Sequence, residues 1–259
     1  MKKLTILFLF ILSWSSFSQS IATALSHDRP FDINSTPRIE KITSYTTYFR
    51  KNETGRKKTV TTFNEKNRLK SESRYDKNGK LVARLNFVYD STQTRSLSRK
   101  FETWNNVTGY NSEVADFVYD SNLFLIKTID KNSNNKIFRI TSLENDEKGN
   151  PVKLLLKENN FIGHERAVYD YDKNIVKISV LDGSGTKVLN VNKMRINFSE
   201  RKFEDLTYNE FGDLIKSGKK KYAYKYDEND NWIKKTNYEL INGKWKKYQV
   251  ITRKIKYKK

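Results

Sequence analysis

The stretch SESRYDKNGKLVARLNFVYD, residues 71–90, decides the fold. At its centre Tyr75 and Asp76 precede a short polar turn that contains Gly79. After the turn, apolar residues occupy every second position from Leu81 to Tyr89. A period of two indicates a half-buried β-strand. An aspartate side chain can accept hydrogen bonds from backbone N–H groups of the turn, and glycine adopts a positive φ at little cost. The stretch therefore predicts a strand, a tight turn and a second strand.

Variants of this unit recur along the chain, at intervals near 12 to 14 residues or near twice that. In two copies Asn67 and Asp230 stand where the copy at 75–81 has Gly79. The residues predicted to form the repeated turns are Tyr75, Asp76, Gly79, Asp146, Gly149, Tyr169, Asp170, Tyr208, Asn209, Gly212 and Asp227. A small unit used many times needs its neighbours to bury its apolar face.

These patterns predict an all-β fold: an elongated, twisted or curled antiparallel sheet built from successive β-hairpins. The composition agrees, because 13% of the residues are aromatic and aromatic side chains favour pleated surfaces. No segment of a dozen residues shows a helical period. We expect one β-hairpin-repeat domain over residues 39–259. Residues 19–38, with Pro30 and Pro37 and little periodicity, are predicted to be a linker or a loose N-terminal arm.

The first 18 residues are predicted to be a signal peptide. Lys2 and Lys3 precede a short apolar run, and Ser16 and Ser18 form a small-x-small cleavage site. The run is short for a membrane span, so a transmembrane anchor is the less favoured alternative. The chain has no cysteine, which excludes disulfides and the lipid-modified cysteine of a bacterial lipoprotein. We therefore expect a protein exported to the periplasm, the cell surface or the medium.

The formal net charge of the chain is +20, and removal of Lys2 and Lys3 would leave 20 − 2 = +18. A charge this large attracts polyanions. Outside the cytoplasm the candidates are acidic polysaccharide, a phosphate-bearing envelope glycan and, without specificity, nucleic acid. The alternative is that lysine and arginine fill the solvent side of the sheet and protect its edges.

The Tyr-Asp-x-x-Gly-x-Leu core at 75–81 resembles the YD repeat of the RHS family. The copies at 208–214 and 226–232 are similar, with Asn209 and Asp230 as departures. The resemblance implies β-hairpin repeats that coil into a long sheet. Large members of the family build hollow shells around toxin domains, and some are described as carbohydrate-binding or surface-associated. This chain has too few repeats for a shell and lacks both the motif that ends the RHS core and a toxin domain. The resemblance therefore implies a free-standing curved sheet in a short exported bacterial member.

No catalytic residue, cofactor or metal site is predicted. The only histidines are His27 and His164, which leaves a histidine-based triad or metal site without support. The acid-rich turns at 170–174 and 227–231 resemble calcium loops, but both lack the glycine and the glutamate that such a loop needs. A carboxylate pair that hydrolyses glycosides is the third and least favoured functional alternative.

Aromatic residues among lysines give the candidate binding site. The residues predicted to bind a ligand are Trp104, Tyr222, Tyr224, Tyr226, Trp232, Trp245, Lys221 and Lys225. Such rings can stack on sugars or bases, or they can form the core of the covered side of the sheet. The leading hypothesis is an exported, non-catalytic scaffold that binds an anionic polysaccharide or envelope glycan. The alternative is a structural or protein-interaction module of the envelope, or a partner of a secreted toxin.

Overall fold

A computed structural model describes residues 20–27, 37–49, 55–196 and 206–258, so the predicted signal peptide at 1–18 lies outside the described residues. The described chain contains one short helix, α1 (Ile21–Leu25), and seventeen strands, which confirms the predicted all-β fold. The strands are β1 (Ile39–Tyr48), β2 (Arg56–Phe63), β3 (Leu69–Tyr75), β4 (Leu81–Tyr89), β5 (Ser96–Asn105), β6 (Gly109–Tyr119), β7 (Leu125–Asn132), β8 (Ile137–Asn145), β9 (Pro151–Glu158), β10 (Phe161–Asp170), β11 (Ile175–Leu181), β12 (Val188–Arg195), β13 (Thr207–Tyr208), β14 (Leu214–Ser217), β15 (Lys220–Tyr226), β16 (Trp232–Ile241) and β17 (Lys244–Tyr257).

Consecutive strands pair antiparallel from β1 to β12 and again from β13 to β17. The first strand also pairs with the last, so that Ile42 of β1 lies between Thr61 of β2 and Ile255 of β17. Next to this pairing, the N–H of Lys258 donates to the carbonyl of Arg38 at 2.8 Å. The result is a long, curled sheet in which the first and last strands are neighbours.

The strands turn at the aspartates and asparagines of the repeat. Asp76 Oδ1 accepts hydrogen bonds from the N–H groups of Asn78 and Lys80, both at 2.9 Å. Gly79 follows with a φ of 81°. Non-glycine residues also have a positive φ in the described turns between strands, namely Asn67, Gln93, Leu123, Asn135, Asn159, Asn174, Asp230 and Asn242. Asparagine and aspartate tolerate this conformation better than most residues, which explains why they replace the glycine in some copies.

Replacement of Gly79 by alanine tests the backbone requirement of these turns. A Cβ at Gly79 would meet no atom within 4 Å, so the cost comes from the left-handed backbone alone. We expect Gly79→Ala to lower the free energy of unfolding by roughly 1–2 kcal/mol, measured by urea denaturation. Gly55 also has open space around it but no positive φ, so Gly55→Ala is the matched control. It should change stability by less than about 0.5 kcal/mol; equal losses would contradict the argument.

Tyrosines at or near strand ends anchor the start of the preceding strand. In the described chain a tyrosine hydroxyl donates to the carbonyl of a strand's first residue in four places: Tyr89 to Leu69 at 2.8 Å, Tyr119 to Ser96 at 2.7 Å, Tyr169 to Pro151 at 2.8 Å, and Tyr224 to Leu214 at 3.0 Å. Asn145 stands where these copies have tyrosine, and its Nδ2 donates to the carbonyl of Leu125 at 2.9 Å. The copy that has lost its aromatic residue therefore keeps the hydrogen bond. The aromatic residue before the acid thus has a structural role in this sheet.

One side of the sheet, called the helix face, packs against α1. Ser20 Oγ caps the helix by accepting the N–H of Thr23 at 3.1 Å, and Ile21 and Leu25 are buried. Part of the segment predicted to be a loose arm at 19–38 is therefore a packed helix. Five residues are too few to show a helical period in the sequence. The apolar residues buried beneath α1 are Leu143, Leu154, Ala167, Val176, Ile178 and Ile196.

The helix face continues across the first and last strands. Ile39, Ile42 and Phe63 form a second buried cluster there, against Ile255 and Tyr257. The alternation predicted after Gly79 also reaches this side, since Ala83 and Leu85 are buried. On the opposite side, called the exposed face, even apolar residues are open to solvent; Val88 is 57% and Val168 is 69% exposed. The sheet thus has one side with a buried apolar core and one side that is exposed to solvent.

Candidate functional site

The residues predicted to bind a ligand lie on both sides of the sheet. On β15, Tyr222 and Tyr224 stand opposite Asn237 and Lys235 of β16, on the helix face. Lys221 and Lys225 alternate with these tyrosines along the strand and therefore point to the exposed face. Trp104 lies on β5, far along the sheet, and Trp245 lies beside the turn at 242–243 with 38% of its surface exposed. The predicted set is not one site.

Four of the predicted residues belong to an aromatic row on the helix face, formed by Phe211, Tyr222, Tyr224, Tyr226 and Trp232. Phe211 stacks on Tyr226 with 4.1 Å between ring centroids. Tyr224 lies 6.0 Å from Tyr226 and 6.2 Å from Trp232. Lys235 Nζ lies over the rings of Tyr222 and Tyr224, at 4.8 and 5.2 Å from their centroids. A cation thus covers part of the row.

The hydroxyls of this row hold the turn at 209–213. Tyr226 donates to Asp213 Oδ2 at 2.6 Å and accepts from Asn209 Nδ2 at 2.6 Å. Tyr224 donates to the carbonyl of Leu214 at 3.0 Å. Burial raises the pKa of Tyr226, and its hydrogen bond to Asp213 raises the pKa further. Two of the predicted ligand-binding tyrosines, Tyr224 and Tyr226, therefore hold this turn in place.

Trp104 forms a separate aromatic pair on the exposed face. Its ring centroid lies 5.6 Å from that of Tyr110, and the guanidinium of Arg84 lies 5.6 Å from the Trp104 ring. The Tyr110 hydroxyl donates to Glu102 at 2.9 Å. This pair contacts none of the other predicted residues.

The two predicted lysines belong to a larger cationic surface on the exposed face. Lys225 stands directly opposite Lys234, which stands opposite Thr252 of β17. Thr252 in turn stands opposite Tyr45 of β1, which stands opposite Lys58 of β2. We call this surface, on β14–β17, β1 and β2, the lysine face. Its cations are Lys41, Arg56, Lys58, Lys216, Lys221, Lys225, Lys234, Lys247, Lys254 and Lys256.

Like charges stand directly opposite each other on the lysine face. The three cross-strand lysine pairs are Lys216 with Lys221, Lys225 with Lys234, and Lys41 with Lys256. Like charges in this position destabilise a sheet. In the described strands of this surface no acid occupies a regular position on the same side. Glu40, at a bulge of β1, contacts Lys256 at 2.7 Å. The surface therefore keeps a net positive charge, which Glu40 offsets only at Lys256.

Tyrosine rings lie among these cations. The guanidinium of Arg56 lies 4.1 Å from the centroid of the Tyr45 ring. Lys58 Nζ lies 4.6 Å from the centroid of Tyr75. Sequence reasoning named neither tyrosine as a binding residue, nor Lys41, Lys234 or the other lysines of this surface outside β15. The period of two along each strand could have assigned these lysines to a side, but only the register brings the strands together.

A buried ionic cluster lies on the helix face, away from the lysine face. Asp130 of β7 is fully buried, and its Oδ2 accepts from Arg139 Nε at 2.9 Å. Arg99 Nη2 lies 3.7 Å from the other oxygen of Asp130. Burial lowers the pKa of Arg99, while the pKa of Arg139 is raised by its bond to Asp130 against the effect of burial. Asp130 alone balances only one of the two guanidinium charges, and Glu113 and Glu158 contribute further negative charge near them.

Comparisons with known proteins do not assign a function to this chain. No protein-family model and no curated protein matches the chain. Among solved structures it is similar to a porin-like protein from Bacteroides uniformis ATCC 8492, at 10% identity, over 84% of this chain and 96% of that one, with a TM-score of 0.30. Within the described residues, no helix has the length and apolar character needed to cross a bilayer.

Proposed function

We propose that this protein is an exported, non-catalytic β-repeat scaffold that binds an anionic polysaccharide or envelope glycan through the lysine face. The observation that carries the proposal is the set of three cross-strand lysine pairs without regularly placed acids. Repulsion within such pairs costs stability in the free protein. An anionic polymer that lies across the strands would remove this repulsion. The repulsion in the free protein therefore favours binding of the polymer. Export rests on the predicted signal peptide at 1–18.

The spacing of the lysine face suits a polymer with regularly repeated charges. Neighbouring strands are about 4.8 Å apart, and alternate residues of a strand about 7 Å apart. The face therefore offers ammonium groups in two directions at short intervals. Lysine is a flexible point charge, which places few geometric demands on the anion. Tyr45 and Tyr75 add rings that can stack on the faces of sugars.

Retention on an immobilised acidic polysaccharide tests the proposal. We expect the protein to bind alginate, a polymer of uronic acids, and not neutral dextran, at about 50 mM salt. Retention on alginate should fall steeply as the salt approaches about 500 mM, because exposed charges are screened over a few ångströms at that ionic strength. Affinity chromatography with a salt gradient measures this. Retention that is independent of salt, or equal on alginate and dextran, would contradict the proposal.

A further inference from the structure

A cavity of about 510 Å³ opens on the helix face, over β3, β4, β5 and β6. It lies on the opposite side of the sheet from the lysine face. Its size is within the range of pockets that hold small molecules. The residues that line it are Arg74, Val82, Ala83, Phe101, Thr103, Asn105, Thr108, Asn111, Ser112 and Glu113.

The lining combines an apolar platform with many uncharged polar groups. Phe101, on β5, supplies an aromatic ring, and Ala83 of β4, which stands opposite Thr103, adds to the apolar lining. Thr103 and Asn111 stand opposite each other on β5 and β6, and both face the cavity. Hydroxyl and amide groups can both donate and accept hydrogen bonds, as sugar hydroxyls do. An aromatic ring presents a flat apolar surface to the C–H groups of a sugar.

Glu113 supplies a carboxyl group to the wall of the cavity. It stands opposite Phe101 and lines the cavity. Burial raises its pKa, although attraction to the guanidinium groups of Arg139 and Arg99 opposes this effect. A carboxyl oxygen in the wall of a cavity can accept hydrogen bonds from the hydroxyl groups of a ligand.

We propose that this cavity binds an uncharged saccharide of one or two rings, which stacks on Phe101 and forms hydrogen bonds with Glu113 and Asn111. This inference is independent of the polyanion site. A neutral ligand fits better than a charged one, because the cavity is lined by both Arg74 and Glu113, which carry opposite charges. Arg74 already donates to Glu72 at 2.6 Å, so it is not available to fix a carboxylate alone. A zwitterionic amino acid is the competing ligand class.

Saturation-transfer NMR with the whole chain tests the inference. The probes are glucose, N-acetylglucosamine, maltose and cellobiose, with glycine and alanine as zwitterionic probes. We expect a saturable signal from at least one sugar. Asn111→Ala should weaken its binding about fivefold, since a lost hydrogen bond is worth about 1 kcal/mol. The matched control is Asn86→Ala, on β4 and on the exposed face, which should leave the affinity unchanged.

Glu113→Gln separates the two ligand classes, because glutamine keeps a hydrogen-bonding group but cannot pair with an ammonium group. Sugar binding should survive this substitution within about threefold. The proposal is wrong if no sugar gives a saturable signal, if Asn86→Ala weakens binding as much as Asn111→Ala, or if only the amino acids bind and Glu113→Gln abolishes that binding. Alginate retention by Glu113→Gln and Asn111→Ala should remain unchanged, so this proposal can fail while the polyanion proposal stands.

Discussion

The triple variant Lys221→Glu, Lys234→Glu and Lys41→Glu should lose about 3 kcal/mol of binding free energy for alginate, roughly a hundredfold in affinity. Each lysine near an anionic surface contributes about 1 kcal/mol, and reversal adds repulsion to the loss. The variant should nevertheless be as stable as the natural protein or more so. Each substitution converts one like-charge pair, Lys216–Lys221, Lys225–Lys234 or Lys41–Lys256, into an opposite-charge pair. Binding and stability should therefore change in opposite directions.

The matched control changes the net charge by the same amount elsewhere. Lys136 and Lys187 are exposed lysines in turns between strands, and Lys193 is an exposed lysine of β12 that stands opposite Lys177 in a like-charge pair of its own. The triple replacement of these three residues by glutamate should weaken alginate binding by less than about tenfold, through the long-range field alone. Titration calorimetry and urea denaturation measure the two quantities. Equal losses of affinity in both triple variants would show that net charge, rather than the lysine face, governs binding.

Asp130→Ala should cost about 3–5 kcal/mol of unfolding free energy, because it removes one partner of a buried ionic cluster. Arg99 and Arg139, 7% and 4% exposed, would remain buried without their main counter-charge. Glu158 lies 3.5 Å from Arg139 but is itself partly exposed, so it compensates only in part. A loss of this size is a large share of the total stability of an ordinary domain. Urea denaturation followed by tryptophan fluorescence measures it.

Asp116→Ala is the control for this experiment. Asp116 contacts Lys131 at 2.7 Å, but their side chains remain 38% and 27% exposed. An exposed pair of this kind contributes between about 0 and 1 kcal/mol. If Asp130→Ala destabilised the protein no more than Asp116→Ala, the cluster would not be a buried charge network. Asp130→Asn, which can keep one hydrogen bond to Arg139, should be intermediate.

The architecture was predictable because the turns are local. The acid and the glycine at Asp76 and Gly79 determine a turn through bonds within five residues. The helix at 21–25 was not predictable, because burial against distant strands stabilises it more than any periodicity of its own. The turn at Asn132 was also missed, since Asn135 takes the place of glycine without an aromatic residue before it.

The candidate site was less predictable than the fold. The alternation of tyrosine and lysine over 221–226 was visible in the sequence, and the structure places these residues on two opposite sides. The pattern within a single strand does not show which strands are neighbours. β1 and β17 are more than 190 residues apart in sequence, and yet they lie side by side. That pairing joins Lys41 to Lys256, so the full surface exists only in the folded chain.

The same pairing has a consequence for biosynthesis. The strand at Ile39–Tyr48 leaves the ribosome early, but one of its edges has no partner until the last strand, Lys244–Tyr257, has emerged. Until then an open β-edge is available to other chains, which is a route to aggregation. A chain that ends before Lys244 would keep this edge of β1 open permanently, and it should aggregate more than the full chain.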